Sequence, residues 1–233
     1  VNLRVDFSCI YKSMKIDLHD NTESFVQSKR FTDWKKEFVK TDLYKRLEIT
    51  YDNILDSVGV DEVSENSFRQ LRKLLADRNT SLIGFYLIEN YLDTKEKILD
   101  IGCGMNYWKT YYNVHGVDLV QYTPTVNECE IITSDFYEKN KKSWNNIMSQ
   151  CALHFNSDIE KTLKKVYSLL NKGGKGFISL NLMRLYELDN STSLTKQLNK
   201  LKIIENIIEE VIIVQSPKSN SLDGNLHIIF KSP

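Results

Sequence analysis

Lys97-Ile-Leu-Asp-Ile-Gly-Cys-Gly104 is a short apolar run that stops at a close pair of glycines. An apolar stretch of this length ending in a tight turn suits a parallel strand buried on both faces. The segments that follow repeat the theme. Gly116-Val-Asp-Leu-Val120 reads as a second strand, Glu130-Ile-Ile-Thr-Ser-Asp135 as a third, and Asn145-Asn-Ile-Met-Ser-Gln150 as a fourth. A helix-like stretch over 157–171 precedes Gly176-Phe-Ile-Ser-Leu-Asn181, and another helix fits within 193–210. Two final runs, 211–216 and 225–232, are joined by a polar loop ending Asp223-Gly224, which makes them an antiparallel pair. Strands alternating with helices predict an α/β fold: a Rossmann-like, mostly parallel sheet of about seven strands with a terminal antiparallel hairpin.

Upstream the period is helical. Phe31, Trp34, Phe38 and Leu43 share one spacing, and Tyr44, Leu47, Tyr51, Ile54 and Leu55 another. Ser64 is an N-cap candidate for a helix carrying Phe68, Leu71, Leu74 and Leu75, which continues through Leu82, Phe85, Tyr86 and Ile88. The expected division is a mostly helical N-terminal extension over 1–64 and a Rossmann-like domain over 65–233.

Composition narrows the function. Lysine plus arginine and aspartate plus glutamate are 31 each among 233 residues, so no long-range field draws the chain to nucleic acid or an anionic membrane. No apolar run reaches the roughly 18 residues of a membrane span. The first twenty residues lack the pattern of an export signal. Cys9, Cys103, Cys129 and Cys151 show no paired spacing, so neither a disulfide framework nor a metal site is expected, and a reducing cytoplasmic compartment is.

The chemistry concentrates where strands end. Asp100-Ile-Gly-Cys-Gly104 brings backbone close to a ligand at the carboxyl edge of the sheet. The dinucleotide fingerprint needs a third glycine where this chain has Tyr107, so a ligand without a pyrophosphate fits better. Asp118 ends the second strand, where a carboxylate can accept both hydroxyls of a ribose. Asp135 ends the third, beside Phe136. Three acids at three successive strand ends converge on one crevice.

These residues resemble the class I S-adenosylmethionine-dependent methyltransferases, from about Lys97 to the C-terminus. Leu99-Asp-Ile-Gly-Cys-Gly104 looks like that family's glycine motif, Asp118 like its ribose acid, and Ser134-Asp-Phe136 like its adenine-contact motif. Residues 144–155 resemble its fourth-strand pattern, and Leu169-Leu-Asn-Lys-Gly-Gly174 its turn into strand five. More narrowly, Ala152-Leu-His-Phe155 followed by 173–184 is similar to short methyltransferase-like proteins of tailed phages, which would place the chain in a host cytoplasm. The resemblance implies S-adenosylmethionine as cofactor and an unidentified oxygen or nitrogen as methyl acceptor. It assigns cofactor binding to Asp100, Gly102, Cys103 and Gly104, to Asp118 and Leu119, and to Asp135, Phe136 and Ser149.

Departures accompany the match. Asn145 stands where the family has an acid, and Lys172 where it has a proline. Only 14 residues separate Gly104 from Asp118, which stunts the first helix. His154 is the candidate general base of these motifs, although a packed structural histidine is the favoured reading. Cys151 reads as a core residue. Tyr107, Trp108, Tyr111 and Tyr112 either wall a cofactor or plug the gap left by a short helix. Lys161, Lys164, Lys165, Lys172 and Lys175 read as a solvated face. A rival to the enzyme is a methyltransferase-like fold kept as a binding or structural module, in a viral particle or complex, docking a protein through its N-terminal region.

Overall fold

The computed structural model describes residues 15–19, 22–47, 78–121, 127–156, 158–182, 199, 206–215 and 224–233. The Ser64 cap, the helix expected at Phe68–Leu75, most of the one within 193–210 and the 64/65 boundary lie outside them. Eight strands form one sheet: β1 (Lys15–His19), β2 (Ile98–Ile101), β3 (Val114–Asp118), β4 (Glu130–Ile131), β5 (Trp144–Gln150), β6 (Leu170–Asn181), β7 (Ile208–Gln215) and β8 (Gly224–Lys231). Their order is β1-β7-β8-β6-β5-β2-β3-β4. Every neighbouring pair is parallel except those of β8, which runs antiparallel to both β6 and β7. The α/β class and the terminal antiparallel pair are as expected.

Consecutive strand residues point to opposite faces, and here both members of each pair are buried. Leu99, Ile147, Ile178 and Ile228 face α5 (Ile159–Ser168), whose Ile159, Leu163 and Val166 cover them. Their neighbours Ile98, Met148, Phe177 and Ile229 belong to a second cluster that includes residues of α2 (Lys29–Phe38) and α3 (Arg78–Tyr91). The minor helices are α1 (Thr22–Val26) and α4 (Phe136–Lys139). Asp158 caps α5, accepting the Lys161 N–H at 3.0 Å, a bond worth about 1 kcal/mol to the helix. On the other face Phe85 is fully buried, with ring centroids of Phe38, Trp108 and Tyr111 at 5.3, 5.0 and 5.1 Å.

The N-terminal segment differs from its expected helical character, because Lys15–His19 is a strand. It pairs in parallel with β7 from Lys15↔Glu210 to His19↔Val214 and makes the sheet eight-stranded. Glu210 anchors this addition. Its carboxylate accepts from Arg30 Nη1 at 2.6 Å and Tyr91 Oη at 2.8 Å, and Lys15 Nζ lies 2.8 Å away. Arg30 also reaches Asp17 at 2.9 Å and lies over the rings of Phe25 and Tyr86.

Burial alone would raise the Glu210 carboxyl, but its bonds to Lys15, Tyr91 and Arg30 outweigh burial and hold it below the usual range. Its contribution is therefore present above the unfolded carboxyl pKa and lost as pH falls through the lower folded value. Glu210→Ala is expected to cost about 2 kcal/mol at neutral pH, less than the roughly 3–5 kcal/mol of a fully buried pair because Lys15 is exposed. Urea unfolding at pH 7 and pH 3 checks this; a difference undiminished at pH 3 would contradict the ionic origin.

Candidate active site

Since β2, β3, β4 and β5 are parallel, the residues that follow each strand emerge at one edge of the sheet. After Ile101 the chain turns at Gly102 (φ 72°) and doubles back on β3. The Gly102 and Cys103 N–H groups both donate to the Val117 carbonyl, at 2.8 and 3.2 Å. An ideal Cβ at Gly102 would lie well inside van der Waals contact with the Ala152 Cβ, so the segment after β5 packs directly on the glycine turn.

Asp118 closes the arrangement. Its Oδ2 accepts the Gly104 N–H at 2.8 Å and its Oδ1 accepts the Leu119 N–H at 2.7 Å. Each oxygen has a further lone pair to offer a hydroxyl. The carboxylate is buried, while beyond it Leu119 is 74% exposed, Val120 51% and, across the β3–β4 pair, Ile131 44%. A carboxylate thus borders an open apolar shelf.

Asp100 lies beneath. Burial first, and the Asp118 charge second, push its carboxyl up to about 8, so it keeps its proton at neutral pH. The sign of the pH effect follows. Between the unfolded value near 3.9 and the folded one, the native state binds the extra proton, and stability falls as pH rises through that window. Asp100→Asn removes this fall. The variant is expected to gain on the parent between pH 5 and pH 9 in urea titrations; an equal difference at both pH values would mean an ordinary carboxyl.

The remaining sequence-predicted residues are placed differently. Asp135 stands at the start of α4 with its side chain 47% exposed, 2.6 Å from Lys139 Nζ and accepting Thr133 Oγ1 at 2.6 Å. Lys139 first and Thr133 second lower its carboxyl. Phe136 is buried in the core. Ser149 is fully buried and donates to the Ile101 carbonyl at 2.7 Å, locking β5 to β2. His154 is also buried, and its Nδ1 accepts the Asn181 N–H at 3.3 Å. Cys103 is half-buried as a free thiol that burial, then Asp100, pushes up. Cys151 is half-buried with φ 56°, a turn residue and not the core residue expected. A left-handed position ending β5 has no periodicity signal in the sequence.

The stunted helix is a four-residue 3₁₀ turn, Tyr107–Thr110. Tyr107, Trp108 and Tyr111 are buried, and the two tyrosine hydroxyls meet at 3.0 Å. A Cβ on Gly84 of α3 would come within 2.6 Å of Trp108 Cη2. These rings fill the space between the short turn and α3, the plug of the two readings.

Two polar residues escaped the sequence reading. Asn106 (φ 53°) is fully buried; its Nδ2 donates to the Glu128 carbonyl at 2.6 Å, tying the glycine turn to the approach to β4. Gln150 ends β5 with a buried Nε2 that has no hydrogen-bond partner among the described residues. The left-handed asparagine was readable as a turn residue; the amide donor was not, because its isolation is a property of the packing.

No family model matches the chain, and no curated protein matches it. Among solved structures it is similar to a phosphoethanolamine N-methyltransferase 2 of Haemonchus contortus in complex with S-adenosyl-L-methionine, with 14% identity over 65% of this chain and 52% of that one and a TM-score of 0.48. It is also similar to an S-adenosylmethionine-dependent methyltransferase of Methanosarcina mazei (15% identity, 63% and 96% covered, TM-score 0.44). One from Mesorhizobium loti gives 16% identity, 58% and 90% covered, and a TM-score of 0.42. The chain's own strand order describes it: an α/β protein with one antiparallel strand in an otherwise parallel sheet, and a carboxylate cradle at the carboxyl edge.

Proposed function

We propose that the protein is an S-adenosylmethionine-dependent methyltransferase acting on an oxygen or nitrogen acceptor. The observation that carries this reading is the Asp118 cradle: a buried carboxylate fixed by the glycine turn and bordered by the apolar shelf of Leu119, Val120 and Ile131. These residues fit an adenosine, with ribose hydroxyls on the carboxylate and the flat base on the aliphatic shelf. Asp100 fits the cationic part, since a nearby positive charge favours its ionised form and draws its proton off.

Bound S-adenosylmethionine supplies a methyl already activated on a sulfonium, so the protein's task is alignment more than proton transfer. Asp118 orients the nucleoside, and the Gly102–Gly104 turn sets its distance from the sheet. Gln150, at the end of β5, turns its buried amide toward Gly84 and Trp108, and its Nε2 has no hydrogen-bond partner among the described residues. His154 is spent on the Asn181 N–H in this arrangement and acts as a structural support.

A second reading, a binding module without turnover, draws on the same commitments: Ser149 and His154 serve internal bonds, and the aromatic residues plug the interior. Methyl-tritiated S-adenosylmethionine incubated with the protein and fractionated cell lysates separates the two. Label in one acceptor class supports the enzyme; cofactor binding with no transfer to any fraction supports the module.

A further inference from the structure

The amino end of the sheet, opposite the cradle, carries charge that the rest of the molecule does not explain. Lys97, Lys141, Lys142, Lys172, Lys175 and Lys231 are all exposed there and none has an ion pair among the described residues. Elsewhere among the described residues Lys15, Lys29, Lys36, Lys40, Lys45 and Lys139 each hold an acid, while Lys35, Lys95, Lys109, Lys161, Lys164 and Lys165 do not, so what sets the rim apart is its clustering at adjacent strand ends.

Several features concentrate this charge. Lys175 and Lys231 are direct cross-strand partners on β6 and β8, an arrangement in which like charges repel. Lys172 and Lys231 line an open groove of about 410 Å³ with Gly173, Ile207, Glu209 and Ser232. Lys142 holds a left-handed φ of 51°, which glycine or asparagine adopts more readily than lysine. Its N–H donates to the Ser168 carbonyl at 2.9 Å, which brings the Lys141–Lys142 turn beside the start of β6. Lys97 lies over the Trp144 ring at 5.8 Å, and His115 stacks on that ring at 5.4 Å.

Carboxylates nearby are partly used, and Glu130 lies 2.8 Å from His115 Nε2. Glu96 accepts from Asn145 Nδ2 at 2.7 Å, and Asp93 Oδ1 accepts the Lys95 N–H at 3.1 Å. Glu209 is the exposed acid of the groove.

We propose that this rim binds single-stranded nucleic acid through its phosphates. The lysines lie at the ends of four adjacent strands, β8, β6, β5 and β2. At ~4.8 Å per strand they span about 14 Å, the length of about four stacked nucleotides at ~3.4 Å each. An acidic protein is the less suitable partner, because protein interfaces bury an apolar centre. Among the described residues, the exposed large apolar side chains are Leu18, Val39, Leu119, Val120 and Ile131, and none belongs to the strand ends that carry these lysines. The neutral overall charge means that attraction would be local, which a patch of unpaired lysines supplies.

Fluorescence anisotropy with a labelled oligo(dT) of about 15 nucleotides tests the proposal on the intact chain. Three phosphate contacts give a log–log salt slope of about −2, so affinity is expected to fall roughly 20-fold between about 50 and 200 mM salt. The triple variant K172E/K175E/K231E is expected to weaken binding at least tenfold, and K36E/K40E/K45E, with the same charge change on the N-terminal segment, less than twofold. No binding at about 50 mM salt, or an equal loss in both variants, overturns the proposal. So does equal affinity for polyglutamate or a salt-independent signal. If the rim triple variant does not fold, K141Q/K142Q replaces it, with a loss of about threefold expected and no change overturning it.

Discussion

In Asp118→Ala, S-adenosylmethionine affinity is expected to fall about 100-fold while the protein stays folded. Hydrogen bonds from two ribose hydroxyls to a charged acceptor are worth roughly 1.5 kcal/mol each or more, and about 3 kcal/mol together is a factor above 100. The substitution also frees the Gly104 and Leu119 N–H groups that the carboxylate holds at 2.8 and 2.7 Å, so the glycine turn loses its fixed position. Asp135→Ala is the control. Its carboxylate is bonded to Lys139 and Thr133 at a half-exposed site, and the expected change is below about threefold. Equilibrium dialysis with labelled cofactor reads both. Equal losses would place the nucleoside across Asp135 as well, contrary to the cradle described here.

Gly102→Ala is expected to cost the fold about 3 kcal/mol. The left-handed φ of 72° accounts for about 1–2 kcal/mol of this, and the clash of the new methyl with Ala152 for the rest. At roughly 2–4 °C per kcal/mol for a chain of this size, the melting temperature drops by about 6–12 °C. Gly173→Ala separates the two causes. Its φ is 74°, but a Cβ there meets nothing within 4 Å, so only the conformational cost of about 1 kcal/mol remains. Equal losses would show that Ala152 yields and that the turn does not rely on close packing.

Much of this was legible because the relevant signals are local. Leu99–Gly104 shows a strand and its turn within six residues, and the 14-residue interval to Asp118 leaves room for no more than the observed 3₁₀ turn. Asp118 was readable as a strand-end acid, and its position beside the glycine turn follows from parallel pairing of β2 and β3. The N-terminal strand was not legible. Lys15-Ile-Asp-Leu-His19 has two apolar residues among five, and its partner lies nearly the whole chain away. Arg30 and Tyr91 look like ordinary surface and helix residues until Glu210 brings them together. The third strand was overestimated, since only Glu130–Ile131 pairs and Asp135 falls beyond it at the start of α4. Asp135 there is bonded to its own neighbours, Lys139 and Thr133.

Titration calorimetry of the intact chain with S-adenosylhomocysteine, repeated on Asp118→Ala, tests cofactor binding at the cradle without needing the methyl acceptor. The expected result is saturable one-to-one binding to the parent protein and its loss in the variant. Absence of heat and of any thermal shift with the parent, or unchanged binding in Asp118→Ala, would contradict it.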